Sequence, residues 1–433
     1  MKHKPLDHPN TGDLRARAER CMPGGVLHHL SAIPGRAPIV VVRGEGSRIW
    51  DSDGREFLDY YLGSASLTLG HGHPAVMEAV RRQLEEGVHF FELNPAAIDL
   101  AELVVEAVPS AESLKYAMSG TEAVLAAVRV ARAHTGRTKV LKFEGAYHGS
   151  HDWMLWGFRH RRAIAYPKAE PDSAGIPRDL QPYVLVAPYN NLDVFTALVE
   201  RHCKDLAAVV AEPLLGNVRP QAGFLEGVRE LTRRHDIPLI FDEVVTGFRM
   251  ALGGAQEYYG VTPDLTGLGK SLGCGHPIGA IVGRADLMDY FSPARVAKGD
   301  AVLHVGTYSG NPVSCAAGAA ALRELKKPGS FERLHALGRA LGDGLREIGK
   351  RLGIPVFVVN EGPMVDMWFT DRPIASYPDT WSADSAKAGK FKLGLVDRGI
   401  WSPPGHKMFL SLAHSDADIA RTLEAAEASM KAL

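Results

Sequence analysis

Between about residues 74 and 325, helical patterns alternate with compact apolar runs that end in an acidic residue. AAVVAEP (207–213) and PLIFDEV (238–244) are two such runs, and GFLEGVRELTRRHD (223–236) is the helical segment between them. That order leaves few folds open. Short apolar runs bounded by helices read as strands covered on both faces, so the alternation implies βαβ units and a mainly parallel sheet flanked by helices. In such sheets ligands bind beyond the carboxyl ends of the strands. Glu212 and Asp242 close two of the runs, which places both where chemistry is expected.

The flanking regions follow another pattern. Residues 38–62 alternate β-branched and aromatic residues about Asp53-Gly54 and read as short strands with a turn. After about residue 326 a helix (330–353) gives way to strand-like IPVFVVNEG and PMVDMWFT, then to a closing helix, DADIARTLEAAEASMKAL. The expected division is a large domain (66–325) and a smaller α+β domain (326–433), which the strands of an N-terminal segment (1–65) join. The long, mixed segment 150–178 suits a mobile lid or an ordinary surface excursion.

Composition narrows the function. A chain of 433 residues favours two or three domains. Its formal charge of -1, from 49 basic against 50 acidic residues, gives no excess to neutralise nucleic-acid phosphates. The charged N-terminus lacks the apolar core of a signal peptide, and no run of about 18 apolar residues offers a membrane span. Cys21, Cys203, Cys274 and Cys315 are scattered without CxxC spacing, so neither a metal site nor a disulfide framework is expected. A cytoplasmic setting follows.

The chemistry centres on PDLTGLGKSLGCG (263–275), where Lys270 stands among four glycines. Such surroundings suggest room for a long amine that meets a flat ligand, releases it and recaptures it. Three further pieces suit the same ligand. Ser119-Gly120-Thr121-Glu122 precedes an Ala/Val-rich helix, a start that presents free N–H groups to an anion or merely caps the helix. Tyr147 and His148, between glycines in FEGAYHGSHD, suit stacking on a ring, or are incidental loop residues. Asp242 ends a buried strand and requires a cationic partner, either a protonated ring nitrogen or Arg249. Val244, two residues on, faces the same side if the strand continues. Gly306-Thr307 offers another phosphate contact. A planar ligand, cationic at one edge, phosphorylated at another and reactive toward an amine, meets these demands. Pyridoxal 5′-phosphate is such a ligand.

The ordered series SGTEA, YHG, DEV-TGFR, LGK-LG-G and GT-SGNP resembles the class III, fold-type I pyridoxal-phosphate aminotransferases, from about residue 20 to the end. It is most similar to the branch containing glutamate-1-semialdehyde aminomutase, sharing MPGGV, GSRIWDSDG, LGHGHPAV, KFEGAYHG and FLSLAH. The resemblance implies that Lys270 is the Schiff-base lysine and Asp242 the partner of the pyridinium. It makes Ser119, Gly120 and Thr121 the phosphate cradle, and puts Tyr147 and Val244 on the two ring faces. Glu212 and Asn217 take supporting and ring-oxygen positions. It also implies that Thr307 reaches the phosphate from a neighbouring subunit, hence at least a homodimer.

Departures from that branch concern the substrate. Its carboxylate-binding arginine, in the segment after PGGV, is replaced by Ser31 within LHHLSAI (27–33). A glutamate common before FLSLAH gives way to His406 and Lys407, and Met118 precedes SGTEA. Lys407 or His406 can bind an acid from the other side, His28 or His29 can read hydroxyl groups, and Arg36 can replace the lost clamp. An intermolecular aminotransferase is the leading expectation. The aminomutase and a racemase or decarboxylase on the same fold are alternatives, and a non-catalytic module fits least.

Overall fold

Fourteen strands organise the chain, in a computed structural model that describes residues 10–28, 38–216 and 218–433. They are β1 (Val41–Glu45), β2 (Arg48–Asp51), β3 (Glu56–Asp59), β4 (Ser113–Ala117), β5 (Lys139–Phe143), β6 (Val184–Ala187) and β7 (Leu206–Ala211). β8 (Leu239–Asp242), β9 (Leu265–Leu268), β10 (Gly279–Gly283), β11 (Phe357–Glu361), β12 (Met364–Trp368), β13 (Ile400–Trp401) and β14 (Met408–Phe409) follow. Seven form one sheet in the order β4-β10-β9-β8-β7-β5-β6. β9, β8, β7, β5 and β6 run parallel, and β10 is antiparallel to both its neighbours. This is the mainly parallel sheet expected from the alternation.

The strand sequences explain why both faces are covered. Successive residues point to opposite sides. Val209 and Phe241 pack with Phe143, Phe195 and Phe224 on one side. Val210 and Ile240 pack with Ala127 and Val128 of the Gly120–Thr135 helix on the other. With no face left for water, the runs carry almost no polar residue until their ends.

The remaining strands form two smaller sheets. β1, β2 and β3 make a meander whose last strand pairs in parallel with β13, Leu58 opposite Ile400 and Asp59 opposite Trp401. β11, β12 and β14 form the other. The long Ser330–Leu352 helix covers this region with Leu337, Leu341 and Leu345. Phe409, at the end of β14, donates its amide to Tyr60 O. The N-terminal strands and the C-terminal region therefore meet, and Arg249, beyond the end of β8, binds a carbonyl of each, at Ala65 and Leu410.

Among the described residues, no helix is long and apolar enough to cross a membrane.

Candidate active site

Strand pairing builds the site. Asp242, the last residue of β8, lies opposite Gly267 in β9, three residues before Lys270. Glu212 follows the last residue of β7. β4 enters the Gly120–Thr135 helix through Ser119, whose Oγ accepts the Glu122 amide at 3.3 Å. Glu122 Oε2 in turn accepts the Met118 amide at 2.8 Å. Gly120 and Thr121 are the first residues of that helix, so their N–H groups have no acceptor within it, and the positive end of its dipole lies there. A Cβ on Gly120 would lie 2.5 Å from a Val244 methyl. Only glycine lets this helix start reach Val244.

Asp242 is 6% exposed. Its Oδ2 lies 2.8 Å from His148 Nδ1 and its Oδ1 accepts the Val244 amide at 3.1 Å. Three expectations change here. Val244 does not stand on a continuing strand: the Asp242 side chain bonds the backbone two residues on and turns the chain, a short-range bond that competes with the ladder. His148 is not a stacking residue but a buried neighbour of Asp242, 1% exposed, with Nε2 unpartnered. Arg249 is not the partner of Asp242. It is fully buried and donates to Ala65 O at 2.6 Å, Thr68 Oγ1 at 3.1 Å and Leu410 O at 3.2 Å. Burial pushes its guanidinium down to about 9.

Lys270 has φ +46°, the left-handed region that a non-glycine residue adopts at a cost of order 1–3 kcal/mol. Strain of that kind persists where surrounding contacts impose it. Ser271 supplies them, with its hydroxyl 2.7 Å from Thr68 Oγ1 and 3.3 Å from Ala65 O. Burial lowers the Lys270 pKa, as does Arg249, while Asp242 and Glu212 oppose the shift. The glycines around it do not provide empty space. A Cβ on Gly269 would press on Val244 at 3.3 Å, and one on Gly273 would meet Ile278 at 2.6 Å. They let the strand end and the following turn pack against protein.

Tyr147 is 43% exposed, its ring 5.1 Å from that of Phe158 and its hydroxyl 2.8 Å from Ser150 Oγ. Its amide donates to Glu212 Oε1 at 2.8 Å, and Glu212 Oε2 accepts the Gly216 amide at 3.2 Å. Lys407, just before β14, donates to Gly216 O and lies 5.7 Å from the Phe409 ring centre. Burial pushes its ammonium down to about 8, with Lys270 and Arg249 reinforcing and Glu212 and Asp366 opposing. The His406 ring lies 4.6 Å from that of Tyr61. Thr307, after Gly306, is exposed on a surface turn, and His28 is also exposed. His29, Ser31, Arg36 and Asn217 lie outside the described residues.

Sequence reasoning passed over Lys142 and Glu144. Lys142, in β5, is fully buried and donates to Ala146 O, Met154 O and Trp156 O at 2.8, 2.8 and 2.9 Å. Those carbonyls shape the loop carrying Tyr147 and His148. Glu144 binds His160 Nε2 and the Tyr166 hydroxyl, each at 2.7 Å, which ties down the 150–178 excursion. The signal was a lysine between apolar neighbours inside the strand KVLKF, which demands acceptors.

This donor set fits a phosphorylated, ring-shaped cofactor that reacts with an amine. Unspent amides at a helix start suit the phosphate, buried Asp242 suits a protonated ring nitrogen, and the exposed Tyr147 ring offers a flat face. Comparisons agree. The family model for class III aminotransferases matches residues 32–428. Glutamate-1-semialdehyde 2,1-aminomutase 2 of Brevibacillus brevis is 42% identical over 433 residues, 98% of this chain and 99% of the relative. An omega-transaminase from Sphaerobacter thermophilus superimposes with a TM-score of 0.93 at 36% identity, covering 97% of each chain. A transaminase solved with pyridoxal phosphate bound gives a TM-score of 0.89 at 29% identity, again covering 97% of each. This chain therefore belongs to the class III aminotransferases, enzymes whose cofactor is pyridoxal 5′-phosphate.

Proposed function

We propose that the protein moves an amino group between an amine or amino acid and a carbonyl acceptor, in two half-reactions on one site. The placement of Lys270 and Asp242 at the ends of paired strands carries this reading. The bound cofactor supplies an electrophilic carbon and a sink for the electrons left when the substrate loses a proton. Lys270 would hold the cofactor and, as a free amine, would move that proton as base and acid. Its lowered pKa keeps more of it in the basic form at neutral pH. Asp242 keeps the ring nitrogen protonated, and His148 fixes the carboxylate. Ser119, Gly120 and Thr121 would hold the phosphate, and Tyr147 and Val244 would bracket the ring. Glu212 fixes the loop that carries Tyr147, and the family resemblance assigns Asn217 to the ring oxygen.

The active unit in this reading is a homodimer, with Thr307 of the partner subunit completing the phosphate site. Apolar exposure supports it: Phe91 is 62% exposed, Leu93 81%, Leu303 75% and Val305 72%. The two segments adjoin, since Asn311 Nδ2 donates to Val88 O at 2.9 Å and the rings of His89 and Tyr308 lie 5.1 Å apart. Contiguous exposed apolar surface marks an interface. Light scattering is expected to give twice the chain mass; a monomer with full activity would contradict the shared site. Four free cysteines suit a cytoplasmic setting, and the division at 65/66 and 325/326 suits the separate sheets.

A second reading, glutamate-1-semialdehyde 2,1-aminomutase, is favoured by the name and 42% identity of the Brevibacillus brevis relative. One experiment separates them. An intermolecular aminotransferase bleaches its cofactor band with an amine donor and regains it with a separate carbonyl acceptor. Efficient conversion of glutamate-1-semialdehyde to 5-aminolevulinate, with no exchange between other donors and acceptors, would establish the aminomutase instead.

A further inference from the structure

We propose that Lys407 selects the substrate, its ammonium binding a carboxylate of the amino donor or carbonyl acceptor on the side of the cleft built by the C-terminal region. The inference rests on the aminotransferase reading above, and names the class of compound that site takes: an amino acid and an oxo acid rather than an uncharged amine and ketone.

The first observation is a donor inventory. An ammonium has three N–H donors. Lys142 spends all three on carbonyls. Lys392, buried in the Ser385–Asp397 helix, spends two, on Ser402 Oγ at 2.6 Å and His406 O at 3.0 Å. Among the described residues Lys407 spends one, on Gly216 O, and makes no ion pair. A half-buried cation with two donors left over is costly, since burial outweighs the opposing charges of Glu212 and Asp366, and an anion on those donors relieves it.

The second is position. Gly216 is held by Glu212, which also holds the Tyr147 amide, so Lys407 anchors to the loop that shapes the ring-binding face. Lys407 lies within electrostatic reach of Lys270. An anion on its spare donors would lie against the same loop, next to the face that Tyr147 offers. Lys392 is a positioning residue here. Its bonds to Ser402 and to the His406 carbonyl stiffen the turn that delivers Lys407.

The test compares matched donors on the holoenzyme: alanine, β-alanine and 4-aminobutanoate, each against its carboxamide, read as the rate of cofactor-band bleaching. Lys407→Gln keeps a donor for Gly216 O and removes the charge. The wild type is expected to prefer at least one carboxylate over its amide by about 30-fold or more, and Lys407→Gln to erase most of that preference. Lys407→Arg is expected to restore it in part. An unchanged preference in Lys407→Gln, or no preference in the wild type, would overturn the proposal. If no donor bleaches the wild-type band, the aminotransferase reading fails on its own. Calorimetric binding of unreactive propanoate and butanoate against their amides then decides the role of Lys407: a carboxylate preference lost in Lys407→Gln supports it, and equal binding overturns it.

Discussion

Lys142 and Lys407 occupy two regions under similar electrostatic pressure: burial pushes each ammonium down to about 8. Their surroundings differ in what the N–H donors meet. Lys142 sits in the large sheet with three carbonyls matched to three donors, two of them more than ten residues away along the chain. Lys407, just before β14, spends one donor on a carbonyl, that of Gly216. A depressed pKa therefore does not separate a structural ammonium from a binding one; the hydrogen-bond count does. Lys270 is a third kind, an amine on a strained backbone beside two carboxylates.

The sharpest contrast comes from replacing the reacting amine. Lys270→Ala is expected to lower kcat by about 10²–10⁴-fold from lost proton transfer alone, with the thermal midpoint of the apoprotein little changed. A comparable kcat loss from Lys142→Met, with the fold intact, would break the division of roles. Lys142→Met is instead expected to act on stability, because it leaves three buried carbonyls unpaired. About 2–4 kcal/mol is the expected loss, read as a lower urea midpoint. The carboxylate-to-carboxamide preference should survive in that variant; its loss would place Lys142 in substrate binding. Asp242→Asn comes next, with kcat down roughly 10- to 150-fold for about 1.5–3 kcal/mol of lost charge stabilisation. Near-normal turnover would show that Asp242 does not face the ring.

The smallest effect is in pH. Lys407 is charged below about 8 and neutral above it, because burial depresses its pKa. Lys270, Arg249, Glu212 and Asp366 face it, and Lys392 and His406 lie behind the same turn. The carboxylate-to-carboxamide ratio is expected to fall severalfold as pH rises through about 8. Titration of Lys270 affects both donors alike and cancels in the ratio. In Lys407→Arg the ratio should stay flat, since a guanidinium keeps its charge. A wild-type ratio independent of pH would count against Lys407.

Much of this site was legible in the sequence. Glu212 and Asp242 could be placed because apolar runs of this kind end where a parallel sheet opens. Lys270 could be placed because of the motifs around it. What escaped detection ran through backbone carbonyls. Ala146, Met154 and Trp156 hold Lys142 by groups that every residue possesses, so no residue type signals them. Val244 was assigned to a strand because the bond from Asp242 to its amide cannot be seen in FDEVV. Arg249 looked like a salt-bridge partner by proximity in sequence, yet the turn at 243–250 aims it away, at carbonyls of residues 65 and 410. The glycines near Lys270 read as room and proved to be close packing, because what they meet, Val244 and Ile278, lies on other segments.

Borohydride reduction of the holoenzyme, followed by peptide mapping, tests most directly which of the three lysines reacts. The expected result is a pyridoxyl group on Lys270 alone. A label on Lys142 or Lys407, with Lys270 unmodified, would contradict the assignment of roles from hydrogen-bond inventory and strand-end geometry.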